Sequence, residues 1–213
     1  MYNLTHLSDE EIISEVISGN KEYFSEILKR YNQRLYRVAL SFGIQDDDCE
    51  EVMQLAYIAA YEKLQQFRGE AKFSTWLIKI LVNECLQLKR KKKKSVYINE
   101  ESLVTIPAGD HLNPQEVTMD KERKEILENA IEQLPEKYKS VYILKEIEGM
   151  SISETADALT ISKVNVKVRL HRAKNMLKDA LSSITDVSNL YMFGNERCDR
   201  LTNRVIDYIL NKK

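Results

Sequence analysis

The sequence predicts an all-α protein built from two small helical domains that a flexible linker joins. Glycine and proline are scarce, at 6 and 3 of 213 residues, whereas together they usually make up roughly 12% of a chain. Charged residues reach 31%, and apolar residues recur every three or four positions, which is the spacing of an amphipathic helix. So few turn-forming residues exclude collagen-like, low-complexity and turn-dense β-sandwich chains.

The predicted N-terminal domain covers residues 1–95. Ser8 followed by Glu11 fits a capping box that opens its first helix. Apolar stripes predict further helices over 23–42, 50–64 and 73–88, and the Arg68-Gly69 step separates the last two. The third stripe is the most regular, and it consists of Phe73, Trp76, Leu77, Ile80, Leu81, Cys85 and Leu88.

The helical periodicity fails over residues 96–125, and this segment is predicted to be the linker. Pro107, Gly109 and Pro114 cluster there, which is typical of a connecting segment. Some 30 residues reach about 100 Å when fully extended. The two domains can therefore act at well-separated places.

The predicted C-terminal domain covers residues 126–181 and ends in a helix-turn-helix. Pro135 suits the first turn of a helix. Ser151 and Glu154 form a second capping box, which opens a short helix over 152–159. Three residues later Ser162 can cap a longer, basic helix that runs to about residue 181. A short and a long helix joined by such a turn match a helix-turn-helix.

The formal net charge of -1 taken alone argues against a nucleic-acid partner, but the charges are strongly segregated. Five acids begin one helix, and they are Asp46, Asp47, Asp48, Glu50 and Glu51. Acids at this place complement the helix dipole; alternatively they form a docking surface for a basic partner. Six consecutive bases over 89–94 end another helix and suggest phosphate contact, with a nuclear-targeting signal or a solvated helix end as alternatives.

The helix over 163–178 contains no acid and has two distinct faces. The buried face is predicted to carry Val166, Leu170, Ala173 and Leu177. The opposite face carries Val164, Val168, His171, Arg172 and Asn175, with Asn165 close by, while Lys163, Lys167, Lys174 and Lys178 flank one edge and Arg169 the other. Cations at the edges suit phosphates and a central strip suits base edges, as in a major-groove helix. The alternative is the surface helix of a bundle.

The sequence predicts no enzyme, metal or cofactor site. The three histidines are isolated, and no glycine-rich phosphate loop or GxSxG motif is present. The three cysteines lack disulfide or CxxC spacing, which favours a reduced compartment. No segment approaches 18 uncharged apolar residues. We therefore expect a cytoplasmic protein without membrane insertion.

Two groups of motifs resemble bacterial RNA polymerase sigma factors, specifically the extracytoplasmic-function (ECF) subgroup. DCEEVMQ at 48–54, FRG at 67–69 and FSTWL at 73–77 look like the region that binds core polymerase and melts promoters. LPEKY at 134–138, EGMSISETA at 148–156 and VKVRLHRAK at 166–174 look like the C-terminal promoter-binding domain. The resemblance spans roughly residues 22–181, and it implies a sigma factor that directs core polymerase to promoters and assists melting.

The resemblance implies three sets of site residues and no cofactor. Binding to the polymerase, through the β′ clamp and β, is expected of Asp48, Glu50, Glu51 and Gln54. Contact with the minus-ten element is expected of Trp76, Lys79, Asn83, Gln87, Lys89 and Arg90, with Trp76 mainly in a packing role. Contact with the minus-thirty-five element is expected of Lys163, Val164, Asn165, Lys167, Val168, Arg169, His171, Arg172 and Lys174. Promoter DNA and core polymerase are the implied partners, and an anti-sigma factor is left open.

Four positions depart from the family pattern. Leu55 stands where the family commonly has glutamate, and Thr160 replaces the usual turn glycine. A positive φ at Thr160 would carry a steric cost, so a different turn is one expectation. Asn165 and Val168 replace small hydroxyl residues on the expected DNA face, so no relative's promoter sequence can be transferred.

The extension over 182–213 ends in an amphipathic helix that carries Leu201, Val205, Ile206, Ile209 and Leu210. Two interpretations stay open for it: docking back on the second domain, or contact with a regulator.

Two other functions compete with the sigma factor interpretation. One is a helix-turn-helix regulator that binds duplex DNA without the polymerase. The other is a helical protein-interaction module, which would leave both basic runs unexplained. The acidic helix beside FSTWL discriminates, because a simple regulator needs neither feature.

Overall fold

The structure is a computed structural model that describes residues 7–96 and 119–178, Tyr191, and residues 193–212; for 93–96 and 119–124 only the backbone is described. These residues form helices and include no strand, which confirms the predicted all-α class. Within the described ranges, no helix has the length and apolarity that a membrane span requires.

Four α-helices and two short 3₁₀ helices make up the N-terminal part of the fold. They are α1 (Asp9–Ile17), a 3₁₀ turn (Lys21–Tyr23), α2 (Phe24–Ser41), α3 (Asp46–Glu62), a second 3₁₀ turn (Leu64–Gln66) and α4 (Phe73–Val96). The capping box at α1 forms as expected, with the Ser8 amide donating to Glu11 Oε2 at 2.6 Å and the Glu11 amide to Ser8 Oγ at 3.2 Å. The chain thus enters the bundle at the predicted residue.

The core of this part lies where α2, α3 and α4 pack together. Its largest fully buried side chains include Phe24, Leu28, Tyr57 and Leu81. Phe24 meets the Tyr57 ring edge-on, with 6.5 Å between ring centroids, a favoured aromatic geometry. This packing fixes α3 and α4 side by side, so that the acidic helix and the helix ending in bases share one rigid support.

The C-terminal part begins at α5 (Met119–Glu132), inside the segment 96–125 that the sequence predicts as linker. It continues with α6 (Glu136–Tyr142), a π-helical turn (Ile143–Ile147), α7 (Ile152–Leu159) and α8 (Lys163–Met176). Pro135 is the N-cap of α6. The end of α8 falls before the predicted end near residue 181, which lies outside the described residues.

The helix-turn-helix has a small core of its own, in which Val141, Ala156 and Val166 are buried against one another. The Ser151–Glu154 capping box sets the start of α7, with hydrogen bonds of 2.7 and 3.1 Å. Because α7 contributes Ala156 and α8 contributes Val166, this core fixes the angle between the two helices.

The two parts of the fold are packed against each other, and their buried side chains form one continuous cluster. Arg34 and Arg37 of α2 bind Glu148, at 2.6 and 2.9 Å. Thr75 Oγ1 of α4 donates to Glu154 Oε1 of α7 at 2.8 Å. The described arrangement is therefore closed, with α7 lying on α4.

A last helix, α9 (Asn195–Asn211), packs on α2 and α3. The interpretation that this extension docks back on the second domain is therefore wrong for the helix itself. The reason is chemical complementarity: the apolar side of α9 buries Leu201, Val205 and Ile209, and its arginines meet the acids of α3. Only Tyr191, just before α9, contacts the second domain, through Glu128 of α5 at 2.6 Å.

Candidate functional site

The acidic start of α3 is held in place by neighbouring side chains. Asp46, Asp47 and Asp48 lie in its first turn, where they complement the helix dipole. Tyr36 donates a hydrogen bond to Asp46 Oδ1 at 2.6 Å, and Lys92 at the far end of α4 pairs with Asp48. The acids therefore serve the helix and also present a negative surface.

Glu50 is the centre of this surface, and three arginines of α9 surround it. Arg197 Nε lies 3.1 Å from Glu50 Oε1, Arg200 Nε 3.1 Å from Oε2 and Arg204 Nη2 2.7 Å from Oε2. The hydrogen bond from Arg200 is the main cause that lowers the pKa of Glu50 below its ordinary value. The carboxylate is thus stabilised in its charged form by a segment whose role the sequence left open.

The remaining expected polymerase-binding residues lie one or two turns along α3. Glu51 is exposed and Gln54 is half-buried. Leu55, which stands where the family commonly has glutamate, is 44% exposed. An exposed leucine beside Glu51 makes this stretch of the surface apolar at its centre and acidic at its edge.

Trp76 belongs to an aromatic cluster at the start of α4. Its ring centroid lies 5.4 Å from that of Phe67 and 5.6 Å from that of Phe73. Phe67 follows α3 and Phe73 begins α4, so the cluster closes the loop that carries the FRG motif. Trp76 is half-buried in this packing.

The structure brings most of the expected minus-ten residues together along the outer face of α4. Lys79, Asn83, Gln87 and Arg90 are all exposed there. A cavity of about 260 Å³ is lined by Asn83, Gln87 and Arg90 together with Thr160 from the turn of the helix-turn-helix. Lys79 lines a second hollow against α7. The polar face of α4 therefore opens directly beside the second domain.

Lys89 is the exception among these residues. Its Nζ donates to the Phe42 carbonyl at 2.9 Å and pairs with Glu136 of α6. In the closed arrangement it ties α4 to the second domain and does not lie with the other four residues. The side chains of Lys93 and Lys94, from the predicted basic run, lie outside the described residues.

Helix α8 shows the two predicted faces. Ser162 caps it by accepting from the Asn165 amide at 3.2 Å. Val166, Ala173 and Leu177 are buried. The opposite side is open to solvent, with Val164 69% and Val168 43% exposed. Two bulky apolar side chains left in water on a basic helix indicate a surface that binds something.

The basic side chains of α8 are oriented by neighbours from the same domain. Arg172 Nη1 donates to the Tyr138 hydroxyl at 3.2 Å, and Lys174 pairs with Glu146 at 2.9 Å. His171 and Asn175 contact each other at 3.1 Å. Other expected contacts of this helix, Lys163, Asn165 and Lys167, are exposed, and Arg169 is half-buried.

The turn between α7 and α8 keeps the left-handed conformation even though Thr160 replaces glycine. Thr160 has φ 53 and ψ 46, and the Ile161 amide closes the turn on the Ala156 carbonyl at 3.0 Å. The expectation of a different turn is therefore wrong. The hydrogen bonds of the turn and the packing of α8 outweigh the roughly 1–2 kcal/mol that a non-glycine residue costs there.

Thr160→Gly is expected to stabilise the protein by about 1 kcal/mol, because it removes this strain at the cost of some backbone entropy. For a chain of this size the melting temperature should rise by roughly 3 °C. The matched control is Gly149→Ala at φ +69, where a Cβ meets no atom within 4 Å, so only strain should lower the melting temperature. Differential scanning calorimetry checks both, and a lower melting temperature for Thr160→Gly would contradict the strain.

The described residues include no group of three or more histidine, cysteine or acidic side chains that could hold a metal ion. What they do contain is a helix-turn-helix with an open basic face and, on other helices, an acidic surface and a polar cavity. This combination defines a helical DNA-binding protein that has an additional protein-docking surface.

Comparison with known proteins gives the family. The sequence profile of Sigma-70 region 2 matches residues 27–95, and that of Sigma-70, region 4 matches residues 124–177. The ECF RNA polymerase sigma factor SigW of Bacillus subtilis (strain 168) is 28% identical over 179 residues, with 81% of this chain and 96% of that protein covered. The ECF RNA polymerase sigma-E factor of Escherichia coli (strain K12) is 26% identical over 84% of this chain and 96% of its own length.

Solved structures share the fold. CnrH in complex with the cytosolic domain of CnrY superimposes with a TM-score of 0.53 at 23% identity, covering 83% of this chain and 99% of that one. The sigma factor RpoE in complex with the anti-sigma factor NepR from Bartonella quintana gives a TM-score of 0.57 at 24% identity, covering 70% and 89%. This chain belongs to the ECF sigma factors of the sigma-70 family, as the sequence motifs predict.

Proposed function

We propose that this chain directs core RNA polymerase to its promoters through three of its own surfaces: α3 for the polymerase, α4 for the minus-ten element and α8 for the minus-thirty-five element. The observation that carries the assignment is the order of the two matched regions, since each coincides with one of the helical parts described above. The chain is a binding subunit in this proposal and acts in the cytoplasm, where polymerase and template lie.

The outer face of α8 suits the reading of duplex DNA. Lys163, Lys167 and Lys174 lie at an edge, where they can meet phosphates, while Val164 and Val168 lie on the central strip. A valine can contact a thymine methyl group, and an arginine can donate two hydrogen bonds to guanine. Arg172 is the candidate for the guanine contact, and its hydrogen bond to Tyr138 limits the orientations of its guanidinium.

The outer face of α4 suits a single strand. Melting needs a base to leave the stack, which costs a few kcal/mol, so polar and charged groups must offset that cost. Asn83 and Gln87 each offer an amide donor and acceptor beside the cavity, and Arg90 supplies a positive charge there. Lys79 lies one turn before Asn83 and can meet the phosphate backbone.

The acidic side of α3 is the proposed surface for the polymerase clamp in β′, with contacts to β elsewhere. Asp48, Glu50, Glu51 and Gln54 are the candidates on this helix. An anti-sigma factor is a further proposed partner, because RpoE of Bartonella quintana has been solved in complex with the anti-sigma factor NepR.

Run-off transcription with purified core polymerase tests the proposal against the alternative of a helix-turn-helix regulator. We expect a promoter-dependent transcript only when this chain is added. Binding to duplex DNA without any such transcript would favour the regulator. The acidic α3 and the aromatic cluster before α4 argue against that alternative, since a simple regulator needs neither.

Arg172→Ala is expected to relax sequence preference at one duplex position by ~1–3 kcal/mol. The matched control is Lys167→Ala, which should weaken binding to all sequences alike and reduce the salt dependence. Competition binding to a library of minus-thirty-five sequences measures both. A uniform loss for Arg172→Ala would show that this residue contacts phosphate and reads no base.

A further inference from the structure

The last helix lies along the surface proposed for the polymerase, over the whole length of α3. Near the start of α3, Arg197 Nη1 binds Asp46 Oδ1 at 2.7 Å and its Nη2 donates to the Asp46 carbonyl at 3.0 Å. Near the end of α3, the Tyr208 hydroxyl donates to Glu62 Oε1 at 2.8 Å, and Lys212 pairs with the same carboxylate. The two helices therefore run side by side and in the same direction.

Specific contacts hold α9 there. Leu201, Val205 and Ile209 are fully buried in the main hydrophobic cluster. Buried Asn32 of α2 donates to Cys198 Sγ at 2.8 Å. Lys21 donates to the Lys212 carbonyl at 3.1 Å, and so caps the end of α9. Such a combination of apolar burial and paired polar groups indicates an evolved docking site rather than a chance contact.

The charged contacts converge on one residue. Arg197, Arg200 and Arg204 all bind Glu50, whose side chain is only 14% exposed as a result. A second protein could bind this carboxylate only after the arginines had left it. Glu50 is also the most enclosed of the four expected polymerase-binding residues for which a side-chain ion pair is described.

We propose that α9 is an internal competitor of RNA polymerase: it occupies the acidic surface of α3, and the polymerase gains full access only when α9 undocks. This inference rests on the proposed function, since it assigns regulation to the same surface. The occupant is a basic amphipathic helix of the same chain, and the surface of α3 is complementary to such a helix in both charge and apolar shape.

The energetic reasoning predicts how undocking can be achieved. Arg200 and Arg204 have side chains that are 54% and 43% exposed, and ion pairs of this kind contribute little stability. Their removal should therefore loosen α9 without unfolding the N-terminal part of the chain. When a binding-competent state is populated only in part, the apparent Kd rises by the inverse of that fraction. Loosening α9 should lower the apparent Kd for core polymerase correspondingly.

The test compares the full chain with Arg200→Ala/Arg204→Ala and, separately, with Val205→Asn, which disrupts the buried side of α9. The matched control is Lys29→Ala/Lys137→Ala, which removes two exposed cations from α2 and α6. Hydrogen exchange of the α9 amides measures docking, and fluorescence anisotropy with purified core polymerase measures affinity. A synthetic peptide of residues 194–212 is then added as a competitor.

We expect faster exchange in α9 and about tenfold tighter polymerase binding for both α9 variants, no change for the control, and weaker binding when the peptide is added. Unchanged affinity would overturn the inference, whether or not α9 exchange rises, and would make α9 a fixed part of the N-terminal core; the sigma factor function would stand. If neither the full chain nor any variant binds core polymerase, the proposed function itself fails, and the inference fails with it.

Discussion

Glu148→Gln should lower the free energy of unfolding by about 3 kcal/mol and open the closed arrangement of the two domains. Removing one partner of a buried ion pair has a cost of this size because the opposite charge loses its partner while it stays out of water. The Glu148 side chain is 1% exposed and faces Arg34 and Arg37 across the domain boundary. Glutamine keeps the shape but removes the charge that both arginines bind.

The matched control is Glu146→Gln, two residues earlier on the same turn. Glu146 pairs with Lys174 at 2.9 Å, but the two side chains are 30% and 47% exposed, so the loss should be below about 1 kcal/mol. Small-angle X-ray scattering measures the opening, and urea denaturation followed by two probes measures stability. Identical curves for the two variants would contradict the role of Glu148 as the link between the domains.

The opening has a functional meaning. A compact chain of 213 residues has a radius of gyration of about 17 Å. The minus-ten and minus-thirty-five elements are separated by roughly 25 base pairs, or about 85 Å at 3.4 Å each. The closed arrangement cannot reach both elements, so α4 and α8 must separate when they bind a promoter. A variant that opens more easily should therefore bind the two elements together at least as well as the parent.

The fold was predictable from the sequence wherever local chemistry decides it. The capping boxes at Ser8 and Ser151 depend on residues three positions apart, and both form as expected. The faces of α8 depend on one periodicity, and Val164 and Val166 lie on opposite sides as expected. In each case the information lies within a few residues of the structure that it determines.

The contacts that were missed join residues far apart in the chain. Glu148 is 111 residues from Arg37, and Arg197 is 147 residues from Glu50, so no periodicity connects them. The spacing of Arg197, Arg200 and Arg204 was a usable signal, because it places three cations on one side of an amphipathic helix. It did not indicate which acidic surface they would meet. Thr160 shows the opposite case, in which tertiary packing overrides a local preference.

Val166→Asn should unfold the helix-turn-helix, at a cost of about 4 kcal/mol, and abolish recognition of the minus-thirty-five element. Val166 is fully buried, and with Val141 and Ala156 it forms the small core between α6, α7 and α8. An asparagine there would lose apolar burial and place an amide where nothing apolar can pair with it. So small a core has no other buried side chains to compensate, and α8 would lose its fixed angle to α7.

Val164→Asn makes the same chemical change two residues earlier on α8, where the side chain is 69% exposed. It should leave the fold intact and alter only the contact with DNA. Circular dichroism and calorimetry follow the folding of both variants, electrophoretic mobility shift with duplex DNA follows recognition, and anisotropy follows binding to core polymerase. Because α3 lies in the other domain, Val166→Asn should still bind the polymerase. If both variants fold and bind DNA equally well, the buried face assigned to α8 is wrong, and with it the surface that α8 presents to the promoter.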